Sequence, residues 1–421
     1  MKYAINNVTI LDQGSDYHQQ KVSLLIENGK IKQISKKELK ASKSFDGDDL
    51  YLSKGWTDLR VHLKDPGFEQ DEKIEYLMES ASRGGFTSIV TLPNTDPVVG
   101  HKDMVKSLLN SAKPYAVNIL PSAALSKNTD GEELAEMIDL HHAGAVVFTD
   151  GDKDIKNTEL LAHALLYVQK FDGLIMCHAE DLEISENGQI NEGEISTRLG
   201  LKGIPNIAES SRVQRNLELL EHYGGRLHFA HISTPKSLDL IREAKKKKLK
   251  VSCDIAAHHL ILDDSSLMDY DSNYKTRPPL RTKKDIELFW KALKDDTIDA
   301  IVSDHKGINE EGKNLEFDLA DFGIIGLETL FPMLYKKADQ VIGLEKLIYK
   351  ITDAPDSILK RARPAIAEGV NADLTLFSLN SEWQYNPKTG GGRPQNSPLK
   401  GHSFNSRIIA TFNKGIAFVN L

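Results

Sequence analysis

Histidine and aspartate recur at the ends of short apolar runs in this chain. Arg60 and His62 close the run Gly55–His62, Asp150 follows Ala145–Thr149, and His178 follows Gly173–Cys177. His231 follows Arg226–Ala230, and Asp304 and His305 follow Asp299–Ser303. Imidazole nitrogens with carboxylate oxygens make a donor set suited to Zn²⁺, and Mn²⁺ or Co²⁺ could take the same set. A metal so held brings the pKa of a bound water toward ~7 and polarises a carbonyl. A spare carboxylate such as Asp304 then carries the proton to a leaving nitrogen. The chemistry implied is hydrolysis of an amide or a related C–N bond. One histidine after an apolar run is ordinarily a structural residue; His62, Asp150, His178, His231 and Asp304 recurring together give the metal reading its weight.

Such residues need elements that aim them at one point. Eight apolar runs alternate with helix-like patterns between Gly55 and about Ala300: Gly55–His62, Ser88–Leu92, Ala116–Pro121, Ala145–Thr149, Gly173–Cys177, Arg226–Ala230, Leu249–Cys253 and Asp299–Ser303. The helical patterns include Glu72–Arg83, Gly131–His142 and Lys283–Lys294. This rhythm predicts an α/β fold, a (β/α)₈ TIM-type barrel, in which functional groups gather at the C-terminal ends of the strands. An open doubly wound sheet is the alternative, but no glycine-rich phosphate loop follows the first run.

Both ends of the chain read as short strands. Tyr3–Leu11, Lys21–Glu27 and Lys30–Ile34 alternate, with a hairpin signal at Asn28-Gly29, and alternation returns over Asn371–Phe377 and Ser406–Phe412. The expected organisation is residues 1–54 and 365–421 as two parts of one small β-sandwich, with 55–364 as the barrel. Asn386 to Gly401, rich in Gly, Pro, Asn and Ser, is expected as an exposed loop.

Of the 421 residues, 40% are hydrophobic and 27% charged, enough to bury a sizeable core. A net charge of −8 gives no general pull toward nucleic acid or an anionic membrane. The one basic cluster, Lys245–Lys248, ends an amphipathic pattern and is expected as a solvated helix end. Two cysteines, Cys177 and Cys253, lie inside apolar runs and suit a reducing compartment. No run approaches the ~20 apolar residues needed to span a bilayer, so the expectation is a cytoplasmic chain with no membrane partner.

The segment Asp58-Leu59-Arg60-Val61-His62-Leu63-Lys64-Asp65-Pro66-Gly67 resembles the Asp-x-His-x-His-x-Arg-x-Pro-Gly signature of dihydroorotases and related cyclic amidohydrolases. The likeness continues in family order through Leu92-Pro93-Asn94-Thr95, Phe148-Thr149-Asp150, His178-Ala179-Glu180-Asp181 and His228-Phe229-Ala230-His231. It runs on through Ala257-His258-His259-Leu260, Pro278-Pro279-Leu280-Arg281 and Ser303-Asp304-His305 to Phe322-Gly323. The resemblance implies reversible interconversion of dihydroorotate and N-carbamoyl-aspartate in pyrimidine synthesis. It implies His62, His178, His231 and Asp304 as metal ligands, Asp150 as the bridging ligand and Asp304 as general acid/base. Asn94 would contact the substrate carboxylate, and Lys64 and Arg277 occupy further substrate-binding positions. A small-molecule substrate and a homodimer are implied.

Four positions depart from the family pattern. Arg60 replaces the first histidine of His-x-His, and a guanidinium has no acceptor with which to ligate a cation. Lys64 stands for arginine, Arg277 for asparagine, and Lys306-Gly307-Ile308 for Ala-Pro-His. The expectation is one Zn²⁺ rather than two, on the Asp150/His178/His231 side, with the head of Arg60 in the space of the second. Arg60 pointing away into a surface ion pair is the competing expectation. At the level of function, a catalytically silent homologue organising a partner such as aspartate transcarbamoylase competes with turnover. A hydantoinase- or allantoinase-like specificity is the third alternative.

Overall fold

The computed structural model of the chain describes residues 2–388 and 393–420. Eight parallel strands form one sheet, in the spatial order of the sequence: Trp56–Val61, Phe86–Thr91, Asn118–Ala123, Val147–Phe148, Ile175–Cys177, Leu227–Phe229, Val251–Ala256 and Ala300–Val302. The ring closes where His62 N donates to His305 O at 2.9 Å, beside a parallel bridge between Val61 and His305. The buried Asp58 carboxylate reinforces that seam by accepting from Ser303 N at 2.9 Å. The first two strands are buried at every position. That explains their reading as unbroken apolar runs, because helices cover one face and the barrel interior fills the other.

Helices return the chain between strands on local signals legible in the sequence. Thr282 and Asp285 form a capping box at the start of Lys283–Lys294. Thr234 caps Pro235–Lys246, which has proline in its first turn and lysines in its last. The helix expected over Gly131–His142 is shorter, Met137–Ala143. Ahead of it the backbone is used otherwise: Lys127 N donates to Glu133 O and Ala135 N to Leu125 O, so residues 131–136 fold back on the loop instead of winding.

The termini meet in one seven-stranded sheet that curls over its own core of Ile5, Val8, Ile10, Leu24, Leu52 and Leu376. Its centre is Lys43–Lys54, which pairs parallel with Lys2–Leu11 and antiparallel with Leu374–Ser378. The apolar pattern did not mark this twelve-residue strand, because its first half is polar and largely exposed.

Part of Asn386–Gly401 falls at 389–392, outside the described residues. Of the remainder, Asn386, Lys388, Lys400 and Gly401 are exposed as expected, but Pro394, Asn396, Ser397 and Leu399 are buried. The reason is Asn396, whose side chain donates to Lys306 O and Gly323 O and accepts from Ile308 N, so polar residues here satisfy buried backbone beside the site. Cys177 and Cys253 are buried and unpaired. Among the described residues no helix is long and apolar enough to cross a membrane.

Candidate active site

The C-terminal ends of the strands open into a cavity of about 380 Å³, lined among others by His62, His178, Asp304, Lys64 and Arg277. That volume is within the ~300–1,000 Å³ of small-molecule sites. Asp304 and His231 both adopt left-handed backbone, φ +50° and +38°. Such conformations cost about 1–3 kcal/mol for a residue with a Cβ and concentrate at functional sites.

A continuous polar chain crosses the floor. Arg277 grips Glu180 with two bonds, Nε to Oε2 at 2.7 Å and Nη2 to Oε1 at 2.8 Å. Glu180 Oε2 lies 3.0 Å from His178 Nε2, and His178 Nδ1 lies 2.8 Å from His231 Nε2. His231 Nδ1 is 3.1 Å from Asp304 Oδ2. Burial pushes the Glu180 carboxyl up, but the bonds from His178 and Arg277 prevail and hold it far below its usual range. Burial likewise raises Asp304, and the charges of His231 and Arg60 override it, leaving it well below normal. Both carboxylates are therefore pure acceptors, so His178 Nε2 and His231 Nδ1 each carry the proton. Burial and the nearby Arg60 push the His231 pKa down, against the pull of Asp304.

The consequence lies between the rings. With their outer nitrogens on carboxylates, His178 Nδ1 and His231 Nε2 face each other at hydrogen-bond distance, so one proton lies between the rings at the place a cation would take. This is the arrangement in which a metal-ligating histidine is oriented by a carboxylate behind it. Two nitrogens at ~2.0–2.1 Å from a tetrahedral ion lie about 3.4 Å apart. The observed 2.8 Å falls short of that by roughly half an ångström, a small ring rotation. This pair fits a divalent cation.

The other half of the site does not. Arg60 is fully buried, with Nε donating to Asp304 Oδ1 at 2.8 Å and Nη2 to Asp152 Oδ1 at 2.5 Å. It does not point to the surface. Its Nη1 is buried without an acceptor among the described residues. His62 stands beside it, 3.5 Å from Asp152 Oδ2 and 3.7 Å from Asp304 Oδ1. Burial lowers the His62 pKa to about 4. Among the described residues no group of three or more His, Cys, Asp or Glu is arranged to hold a metal ion.

His62, His178, His231 and Asp304 come together as the strand ends imply, but Asp150 faces elsewhere. Its carboxylate accepts from Ser126 Oγ at 2.6 Å, Ser126 N at 2.9 Å and Leu125 N at 3.1 Å. The carboxylate in the site is that of Asp152, which also receives Lys306 Nζ at 2.9 Å. Gly151 makes the difference: its φ of +72° turns the chain, and a Cβ there would lie 1.5 Å from Asn94 Oδ1. Asn94 thus packs behind this turn, donating to Asp150 O at 3.1 Å. Lys64 reaches the cavity wall paired with Asp71 at 2.9 Å. Asp152, Glu180 and Lys306 are the site residues that strand-end reading passed over; an acid two residues beyond Asp150, across a glycine, was the available signal.

The whole architecture is shared with solved hydantoinases and dihydropyrimidinases. The L-hydantoinase (dihydropyrimidinase) of Arthrobacter aurescens superposes with a TM-score of 0.82 at 22% identity, over 100% of this chain and 97% of that one. The dihydropyrimidinase of Brevibacillus agri gives 0.80 at 23% identity, over 100% and 95%. Barrel and terminal sheet together thus share the (β/α)₈ fold of these structures. The sequence narrows this further. Residues 51–237 match the family model described as Dihydro-orotase-like. The dihydroorotase of Acetivibrio thermocellus is 39% identical over 402 residues, 94% of this chain and 93% of its own length. That of Syntrophus aciditrophicus is 36% identical over 420 residues, 99% and 98%. The chain belongs to the dihydroorotase family, metal-dependent hydrolases of cyclic amide C–N bonds.

Proposed function

We propose that this chain interconverts dihydroorotate and N-carbamoyl-aspartate in pyrimidine synthesis, with one zinc ion held on the Asp150/His178/His231 side. The observation that carries the reading is the pair of imidazole nitrogens facing each other at 2.8 Å, each ring backed by a carboxylate. His178 and His231 would hold the ion. Asp150 would join them only on leaving Ser126, so the zinc is bound more weakly than by a three-residue set and must be supplied. When bound, the ion polarises the ring carbonyl and acidifies water.

The remaining work falls to the chain's own groups. Asp304 lies on the cavity wall as a carboxylate, positioned to take a proton from attacking water and return it to the leaving ring nitrogen. Its hydrogen bond from Arg60 makes it a weaker base than a free carboxylate. Lys64 spends one donor on Asp71, and Arg277 spends Nε and Nη2 on Glu180 and Ser185. Each keeps donors for a substrate carboxylate, with Asn94 supporting the turn that carries Asp152. A homodimer working in the cytoplasm completes this reading.

The Arg60–Asp304 pair favours a second reading: a catalytically silent family member that acts through a partner such as aspartate transcarbamoylase. A steady-state assay in both directions with zinc supplied separates the two. Turnover above background carries the first; its absence in a folded, zinc-loaded protein carries the second. Faster hydrolysis of a hydantoin or allantoin than of dihydroorotate would move the specificity to those rings.

A further inference from the structure

We propose that Arg60 is a built-in cation that fills the His62/Asp304 half of the site, anchored by Asp152 and Asp304, so that the chain holds at most one divalent ion. The inference deepens the one-zinc reading above but does not need turnover to be tested.

The geometry assigns this role on three counts. First, the guanidinium joins the two carboxylates that a cation on this side would need: Nε takes Asp304 Oδ1 and Nη2 takes Asp152 Oδ1. Secondly, the charges already balance. Asp152 and Asp304 face Arg60 and Lys306, with Lys306 Nζ 2.9 Å from Asp152 Oδ2. A divalent ion added beside them would meet a guanidinium that cannot lose its proton. Thirdly, Arg60 is completely buried, so its head cannot swing into solvent to make room without opening the barrel mouth. The neighbouring His62 has its ring between Asp152 and Asp304, the same two carboxylates that hold Arg60.

The two halves are therefore unequal. His178 Nδ1 and His231 Nε2 meet only each other, whereas Asp304 Oδ1 and Asp152 Oδ1 both accept from Arg60. Asp152 is central to the exchange, because it receives Arg60 and Lys306 on separate oxygens.

The experiment is metal stoichiometry on the full-length protein. Wild type and Arg60→His are equilibrated with Zn²⁺, freed of loose ion, and measured by elemental analysis; Co²⁺ loading with electron paramagnetic resonance looks for a coupled ion pair. Wild type is expected to retain no more than one equivalent and to show no coupled pair. Arg60→His, offering an imidazole beside His62, Asp152 and Asp304, is expected to gain a second equivalent. Two tightly held ions in wild type would overturn the proposal, and so would a folded Arg60→His protein that gains none. Should that variant not fold, the wild-type count decides alone. One ion without turnover would sink the catalytic reading and leave this inference standing; two ions with turnover would do the reverse.

Discussion

Arg60 Nε donates to Asp304 Oδ1 at 2.8 Å, with side-chain exposures of 0% and 8%. A buried charge stripped of its partner is expensive, typically about 3–5 kcal/mol. Asp304→Asn removes the ionised acceptor and leaves Arg60 with Asp152 alone. The variant is expected to unfold at lower denaturant with an unchanged slope and to lose ~10²–10⁴-fold in kcat. Denaturant titration and the steady-state rate check these together. A variant of wild-type stability would show that the pair is not a buried contact.

Glu180 links Arg277 to His178, so its effect on the ion should pass through the imidazole. Glu180→Gln keeps the shape but replaces an acceptor-only group, and His178 Nε2 loses its charged partner. Loss of such an outer carboxylate costs about 10–100-fold in metal affinity. Competition against a chromophoric chelator would read the shift, and an unchanged zinc affinity would contradict the orientation role.

Glu209 accepts four bonds at the turn after His231: Ser233 Oγ at 2.6 Å and N at 2.9 Å, Thr234 Oγ1 at 2.7 Å and N at 3.0 Å. It is 3% exposed. Glu209→Ala strands two buried backbone donors, each worth about 1–3 kcal/mol. A stability loss of ~3 kcal/mol or more is expected from chemical denaturation. A change under about 0.5 kcal/mol would mean that water or a neighbour takes over.

Glu79, on the helix Ile74–Arg83, accepts from both Lys388 and Arg393 and so ties them to the barrel. Burial raises its carboxyl, but bonds from Lys388, Arg393 and Arg83 outweigh this and bring it to about 2. The folded pKa lies below the ordinary glutamate value of 4.5, so the folded state binds fewer protons. Its stabilisation is present above pH ~4.5 and lost as pH falls from there through about 2. Glu79→Gln is expected to flatten the pH dependence of unfolding in that window, measured by denaturant titration at stepped pH. An unaltered slope would contradict the tether.

The barrel was legible because its strands are buried on both faces and so read as compact apolar runs. His62, His178, His231 and Asp304 followed from the rule that a barrel aims groups from its strand ends. Asp150 and Asp152 could not be ranked this way. Which of two acids faces the site depends on Gly151 taking left-handed backbone and on Leu125 and Ser126 together offering three donors to the first acid. Both are tertiary facts. Lys43–Lys54 escaped notice for a related reason: its place between two strands, not its side-chain pattern, makes it central to the terminal sheet. The burial of Asn396 likewise depends on backbone groups some ninety residues away.

The central claim is that His178 and His231 hold the one ion on which cyclic-amide turnover depends. The most direct measurement is the initial rate of dihydroorotate hydrolysis against added Zn²⁺, for wild type and His231→Ala after chelator treatment. The account predicts a wild-type rate that rises from background and saturates at one equivalent bound, and a His231→Ala rate that stays at background throughout. A wild-type rate that remains at background with zinc bound, or one indifferent to chelation, would contradict it.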